Sequence, residues 1–448
     1  MDRPGPFPGA CGGLTAGERR GGHASPAERQ GRASSARGAD VGPPGPVLPV
    51  AAPTGSYTAP PMNVVFLSPH FPPNLFLFCA RLRDLGATVL GVADAPYETL
   101  RPELRSALTE YYRVPDMHDT DALVRALGYF THRHGKLDRI DSLNEYWLET
   151  EARLRTDFNI PGMRAESMGR IKRKSAMKRV FDRARVPNAR GRLARGPASV
   201  REFIAEVGYP IIAKPDVGVG AARTYRLEND DDLAAYLADQ PRVDYILEEA
   251  LAGRLLTFDG LVDRTGAIVF ASSLEYAVPV LDAVRGADMS YWIDREIAPD
   301  LADIGETLVR AFDVRERPFH FEFFRLPDGT LAALEVNMRQ PGGLTVDMWN
   351  WANDIDFYRA WAEVIVTGTT AVRTTRPYYC FWAGRKSGRS YRLGHDEVLA
   401  RFAGLIVHHE RVDDVFAAAI GNYGYVMRGP DLAPLAAAGL EIQALAVP

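Results

Sequence analysis

Residues 320–343, HFEFFRLPDGTLAALEVNMRQPGG, constrain the fold more than any other segment. Two apolar runs flank Pro327-Asp328-Gly329-Thr330, residue types that favour a tight reversal, so the segment predicts a β-hairpin. Side chains on a strand alternate faces, so Glu335 and Asn337 share one face of the second arm and Glu322 faces them from the first. Two like-charged carboxylates among Phe and Leu repel by roughly several kcal/mol unless a cation lies between them. Hard oxygen donors without His or Cys suit Mg²⁺, which takes one or two carboxylates and completes its shell with water and phosphate oxygens. Arg339, two residues beyond Asn337, falls on the same face with a planar fork for phosphate or carboxylate. An ordinary hairpin with solvated acids would read the same way, so the decision rests on what accompanies it.

Three other segments bear on that decision. YPIIAKPDVGVGAART is a buried strand ending in Lys214, followed by a loop with Gly218, Gly220 and two alanines. Small residues let backbone N–H groups approach a phosphate, and a lysine at the strand end supplies a compact charge. The loop is neither GxxxxGK[ST] nor a dinucleotide fingerprint, and alone it is a plain glycine turn. Lys174 lies in a basic helix, RIKRKSAMKRVFDRA, whose Arg170, Lys172, Arg173 and Lys178 are expected to form a solvated face. YILEEALAG is a strand whose end, Glu248 to Leu251, turns through Gly253 and can serve as a hinge.

Around these, NVVFLSPHF, a helix through Leu82 and Leu85, and ATVLGVAD make a βαβ start, and a helix over 121–132 precedes the strand RIDSLNEYW. Strands alternating with helices imply a parallel sheet in a unit ending near Met163. The part from 164 to 375 is strand-rich with turns such as RTGA and PDGT, as in antiparallel sheets. Residues 376–448 read as a small α+β closing element. Residues 1–61 hold 12 Gly and 11 Pro, and their six arginines are offset by four acids, so they are expected to be a disordered extension, with Met62 a candidate start. A net charge of -4 over 448 residues excludes a dedicated nucleic-acid binder or a polybasic membrane clamp. Three distant cysteines (Cys11, Cys79, Cys380) offer no disulfide framework or zinc knuckle, which fits a reducing cytoplasm.

Taken in order, Lys174, Lys214 with its glycine loop, the acidic hinge and the Glu…Glu-x-Asn-x-Arg hairpin resemble the ATP-grasp superfamily over about residues 63–430. Within it the chain looks most like stand-alone carboxylate–amine ligases similar to the carbamoyl phosphate synthase large subunit. The resemblance implies an α/β N-terminal parallel-sheet domain (62–163), ATP-grasp lobes with antiparallel sheets (164–375, lid about 186–256), and an amide bond formed through an acyl phosphate with release of ADP and phosphate. It further implies ATP and Mg²⁺, or Mn²⁺ in its place, with Lys174, Lys214, Gly218 and Gly220 on the phosphates, Glu248 on the adenine amino group, and backbone contacts from Glu249 and Leu251. Glu322, Glu335 and Asn337 would hold the metal, and Arg339 with Lys214 would act in catalysis on a small carboxylate and an amine. A bicarbonate-dependent carboxylase and a non-catalytic ATP-binding module are the alternatives. The hinge has Arg254, Leu255 and Leu256 where many members carry a ribose-binding acid, leaving Asp259 as the candidate. The substrate side is expected at SPHFPPN, Asn144, Glu145, VRGADMSYW and PGGLTVDMWN, including Arg285, Asp288, Trp349 and Asn350. A chain beginning at Met62 should melt within a few degrees of the full chain; a larger drop by calorimetry would show that residues 1–61 contribute to the fold.

Overall fold

The computed structural model describes residues 62–218, 223–239 and 243–446, so the expectations for residues 1–61, for Gly220 and for the two alanines after it lie outside the described residues. The first sheet is parallel, in the order β3-β2-β1-β4: β1 (Asn63–Leu67), β2 (Thr88–Ala93), β3 (Glu110–Arg113) and β4 (Arg139–Asp141). All five residues of β1 are buried, because both faces are covered. Val64 and Phe66 pack with Phe78 and Leu82 of the helix Phe76–Asp84, whereas Val65 and Leu67 pack with Leu123 and Leu127 of the helix Thr120–His134. An uninterrupted apolar run is what such a central strand requires.

A small antiparallel sheet, in the order β5-β8-β6-β7, spans the segment expected as the lid: β5 (Gly191–Leu193), β6 (Ile211–Pro215), β7 (Tyr225–Leu227) and β8 (Tyr245–Glu249). It has its own core of Val200, Phe203, Ile211, Leu233, Tyr236 and Tyr245. The third sheet has eight antiparallel strands, β13-β12-β9-β10-β11-β14-β16-β15. These are β9 (Arg254–Val262), β10 (Ile268–Tyr276), β11 (Ser290–Ile293), β12 (Arg317–Arg325), β13 (Leu331–Asn337), β14 (Tyr379–Arg385), β15 (Ile406–Arg411) and β16 (Tyr423–Gly429). The C-terminal strands thus do not build a sheet of their own. β14 pairs with β11 from Ser290↔Ala383 to Ile293↔Cys380, so the tail extends the sheet that carries the hairpin.

The basic stretch is two helices rather than one. Ala165–Lys172 ends at Arg173, whose ψ of 115° is extended, and a new helix runs Lys174–Arg183. The break has a local cause: the Asp216 carbonyl accepts from Lys174 N at 2.9 Å, and its carboxylate accepts from Ser175 N at 2.8 Å. Asp216 therefore satisfies the free amides of the second helix, and Lys174 becomes its first residue.

The parallel sheet joins the central sheet through a buried charge cluster. Glu151, completely shielded, accepts from Arg155 at 2.7 Å, from Arg317 at 3.1 Å, and from the amide and hydroxyl of Ser142 at 2.8 and 2.6 Å. Arg317 opens β12 and also donates to the Met338 carbonyl at 2.8 Å, just past the end of β13. Removing one partner from such a site leaves uncompensated buried charge. Glu151→Ala should cost about 3–5 kcal/mol in a urea melt, while Glu149→Ala, on the exposed side of the same helix, should stay within about 0.5 kcal/mol.

Candidate active site

β12 and β13 form the expected hairpin, and its register places Glu322 directly opposite Glu335 and His320 opposite Asn337. A bulge between Glu322 and Phe323 adds one residue on the β13 side, which keeps Glu335 and Asn337 on the Glu322 face. On the other flank β9 pairs Thr257 with Glu322 and Asp259 with His320. Two rows of polar side chains thus cross three strands of an otherwise apolar sheet.

Cations meet these carboxylates from separate elements. Lys174 Nζ lies 3.1 Å from Glu335 Oε1 and donates to the Gly218 carbonyl at 3.2 Å. Lys214 Nζ, at the end of β6, lies 2.7 Å from Glu248 Oε2. Burial disfavours the Lys214 ammonium, but Glu248, Glu335 and Glu322 outweigh it and raise its pKa above the ordinary value. His320 Nδ1 lies 2.8 Å from Asp259 and Nε2 lies 3.1 Å from Glu322. Burial works against its charge as well, yet Asp259 and Glu322 lift its pKa to about 9, so it is an imidazolium at neutral pH. Burial pushes the Glu322 carboxyl upward, but the His320 hydrogen bond and the charges of His320, Arg339 and Lys214 hold it below the usual range.

The candidate residues Lys174, Lys214, Glu322, Glu335, Asn337 and Arg339 are therefore brought to one region. Among the described residues, no group of three or more His, Cys, Asp or Glu side chains could hold a metal ion. Two carboxylates and a carboxamide oxygen, with coordination completed by phosphate oxygens and water, fit Mg²⁺ nonetheless.

Other expected site residues have partners within the protein or lie at the hinge itself. Glu248, assigned to an adenine edge, has its carboxylate shared between Lys214 and Lys178, the latter at 2.9 Å. A shielded carboxylate beside two ammonium groups is best satisfied by both. Glu249 N–H donates to the Arg190 carbonyl at 3.0 Å, and its carboxylate accepts from Arg190 N and Nε, each at 2.7 Å. Leu251 lies two residues past the end of β8 and is partly exposed. Asp259 is completely buried and bonded to His320 and Thr257. Trp349 is a core side chain packed against Phe270 and Phe357, and Asn350 Oδ1 accepts from Phe357 N at 2.8 Å, so both are structural. Asp288 binds Arg389 and Tyr391, and Arg285 ends the short helix Val280–Val284. Lys172 and Lys178, expected on a solvated face, are both 8% exposed. Lys178 was detectable: it follows Lys174 by four residues and so shares its helix face.

No family profile matches the chain. It is 24% identical over 266 residues to an L-arginine-specific L-amino acid ligase of Bacillus subtilis, covering 55% of this chain and 64% of that one. It is 26% identical over 258 residues to a carbamoyl phosphate synthase large chain of Beutenbergia cavernae, covering 55% of this chain and 22% of that one. These matches span less than two thirds of either relative. Among solved structures, an L-amino acid ligase from Bacillus licheniformis superposes with a TM-score of 0.66 at 15% identity, covering 85% of this chain and 96% of the other. An ADP complex of an N5-carboxyaminoimidazole ribonucleotide synthetase superposes with a TM-score of 0.65 at 11% identity, covering 86% and 97%. The chain has the ATP-grasp fold, and its sequence likeness runs to amino acid ligases and carbamoyl phosphate synthase large chains.

PGGLTVDMWN, expected on the substrate side, contains Asp347, which accepts from the Tyr358 hydroxyl at 2.8 Å. Burial lifts its carboxyl to about 6, although that hydrogen bond opposes the shift. Because the folded pKa exceeds the ordinary carboxyl value, this stability is fully present at low pH and is lost as pH rises through about 6. Asp347→Asn should therefore melt higher than the parent at pH 8, by on the order of 1–3 kcal/mol, with the gap closing by pH 4; equal gaps at both pH values in paired thermal melts would refute this.

Proposed function

We propose that this chain is a cytoplasmic ATP- and Mg²⁺-dependent carboxylate–amine ligase that forms an amide through an acyl phosphate and releases ADP and phosphate. The observation that carries the reading is the convergence of Glu322, Glu335 and Asn337 with Lys174, Lys214 and Arg339 on one face of one sheet. A carboxylate attacking a γ-phosphoryl group must approach a strongly anionic triphosphate, so the protein's task is positioning and charge stabilisation rather than nucleophilic attack. Lys174, first in its helix, and Lys214, last but one in its strand, can exchange their present carboxylate partners for phosphate oxygens. Mg²⁺, or Mn²⁺ in its place, held by Glu322, Glu335 and Asn337, would supply neutralisation of the terminal phosphates. Arg339, whose charge already acts on Glu322, is suited to stabilise the transferring phosphoryl group and then the negative charge that builds as the amine attacks the acyl phosphate. Phosphate leaves as the amide forms.

A bicarbonate-dependent carboxylation is a second reading, favoured by the likeness of the fold to a biotin carboxylase domain solved with MgADP and bicarbonate. Screening small acids and amines for ATP consumption, then omitting amine and bicarbonate in turn, separates the two; no turnover with any pair would leave a binding module.

Under the ligase reading Glu335→Gln and Asn337→Ala should abolish turnover with the fold intact, and the parent should release ADP rather than AMP. Chromatography of the nucleotides beside a thermal melt checks this, and AMP or near-normal rates in Glu335→Gln would overturn it. Lys214→Ala should weaken ATP binding by at least about tenfold, whereas Arg179→Ala, on the exposed side of the Lys174 helix, should change it less than about twofold. Calorimetric titration in one buffer compares them, and equal effects would remove Lys214 from the phosphate site.

A further inference from the structure

Glu145 lies in the loop after β4, at the carboxyl end of the parallel sheet, and is 8% exposed. Lys172 donates to its backbone carbonyl at 2.7 Å and to its Oε1 at 3.0 Å, which fixes the residue at two points. The second carboxylate oxygen, Oε2, is shielded and accepts no hydrogen bond, and Arg339 Nε stands 4.0 Å from it. A charged oxygen buried without a donor is costly, so this arrangement needs a reason. The surrounding loops are tied together. Gln340 Nε2 donates to the Leu143 carbonyl at 3.0 Å, and Arg339 Nη1 donates to the Gln340 carbonyl at 2.6 Å. What stays open is the gap between Nε and Oε2. Closing it by about 1 Å would give a charge-assisted hydrogen bond of ordinary length.

We propose that Glu145 is a positioning residue for Arg339: its Lys172-anchored carboxylate takes the Arg339 Nε–H when an anion engages the far end of the guanidinium. The inference rests on the ligase reading above. A guanidinium presents its donors in one rigid plane, so tying Nε to Glu145 and Nη1 to Gln340 leaves Nη2 aimed by geometry alone. Aim matters here, because misplacing a catalytic group by about 1 Å can cost on the order of 10²-fold. Lys172 in turn holds Glu145, which gives this buried lysine a purpose beyond covering the helix.

The test uses the full chain and two probes: Mg²⁺·ADP, and Mg²⁺·ADP with aluminium fluoride as a mimic of the transferring phosphoryl group. In the parent, fluoride should tighten retention of ADP. Glu145→Gln should keep Mg²⁺·ADP affinity within about twofold and lose at least about tenfold of the fluoride effect. Arg339→Ala should lose that effect too, and the double variant should be no worse than Arg339→Ala, since Glu145 acts through it. If Glu145→Gln is unstable because the Lys172 charge is left unpaired, Glu145→Gln with Lys172→Met removes both charges and serves the same comparison. Full fluoride tightening in Glu145→Gln, a further tenfold loss in the double variant, or a parent that binds Mg²⁺·ADP without any fluoride response would overturn the inference. A parent that fails to bind Mg²⁺·ADP would overturn the ligase reading itself, and this inference with it.

Discussion

Glu322 and Glu335 are direct partners across two antiparallel strands, a spacing of about 5 Å between their β-carbons, and like charges so placed oppose the pairing that holds them there. The sheet keeps them because cations arrive from outside the hairpin. Lys174 comes from a helix start, Lys214 from the small sheet, and Arg339 from the loop beyond β13, while His320 shares the strand with Glu322. The relative placement of these elements is therefore tied to the electrostatics of one strand pair, and what the site can bind follows from the same balance.

Buried acids back several of the cations around the site. Glu248 holds Lys214, Asp259 holds His320, Glu145 holds Lys172, and Asp216 organises the helix start that carries Lys174. Pairs of this kind are poor sources of net stability, since desolvation offsets most of the attraction. Their effect is directional. They restrict where an ammonium or imidazolium can stand, and under the proposed ligase reading that restriction serves a site that meets developing negative charge in a fixed geometry.

Much of this was legible in the chain because strand periodicity is strict. Period two alone put Glu335 and Asn337 together, and the apolar run NVVFL marked a strand of a parallel sheet, in which Val64 to Leu67 are covered on both sides. What escaped depended on contacts distant in sequence. Lys172 and Lys178 look like any solvated basic pair until Glu145 and Glu248 are brought beside them. The break at Arg173 comes from Asp216, 43 residues away, and propensity within the helix carries no trace of it. Trp349 and Asn350 lie in a loop-like sequence but serve the core and a helix start, which only packing reveals.

The hairpin carrying the carboxylates lies at the edge of the eight-stranded sheet, so the outer side of β13 has no full strand beside it. Instead, the segment leading into the small sheet covers it, with Ala333 N donating to the Pro187 carbonyl at 2.7 Å and Asn188 bridging to Ala333 in parallel. An uncovered edge of sequence LAALEVN, apolar over its first four residues, would be a template for strand addition by another chain. A proline-bearing segment laid against it blocks that addition. Resistance to self-association is thereby lodged in a short stretch of backbone, and any change that loosens Pro187 and Asn188 would leave the β13 edge open to strand addition by another copy.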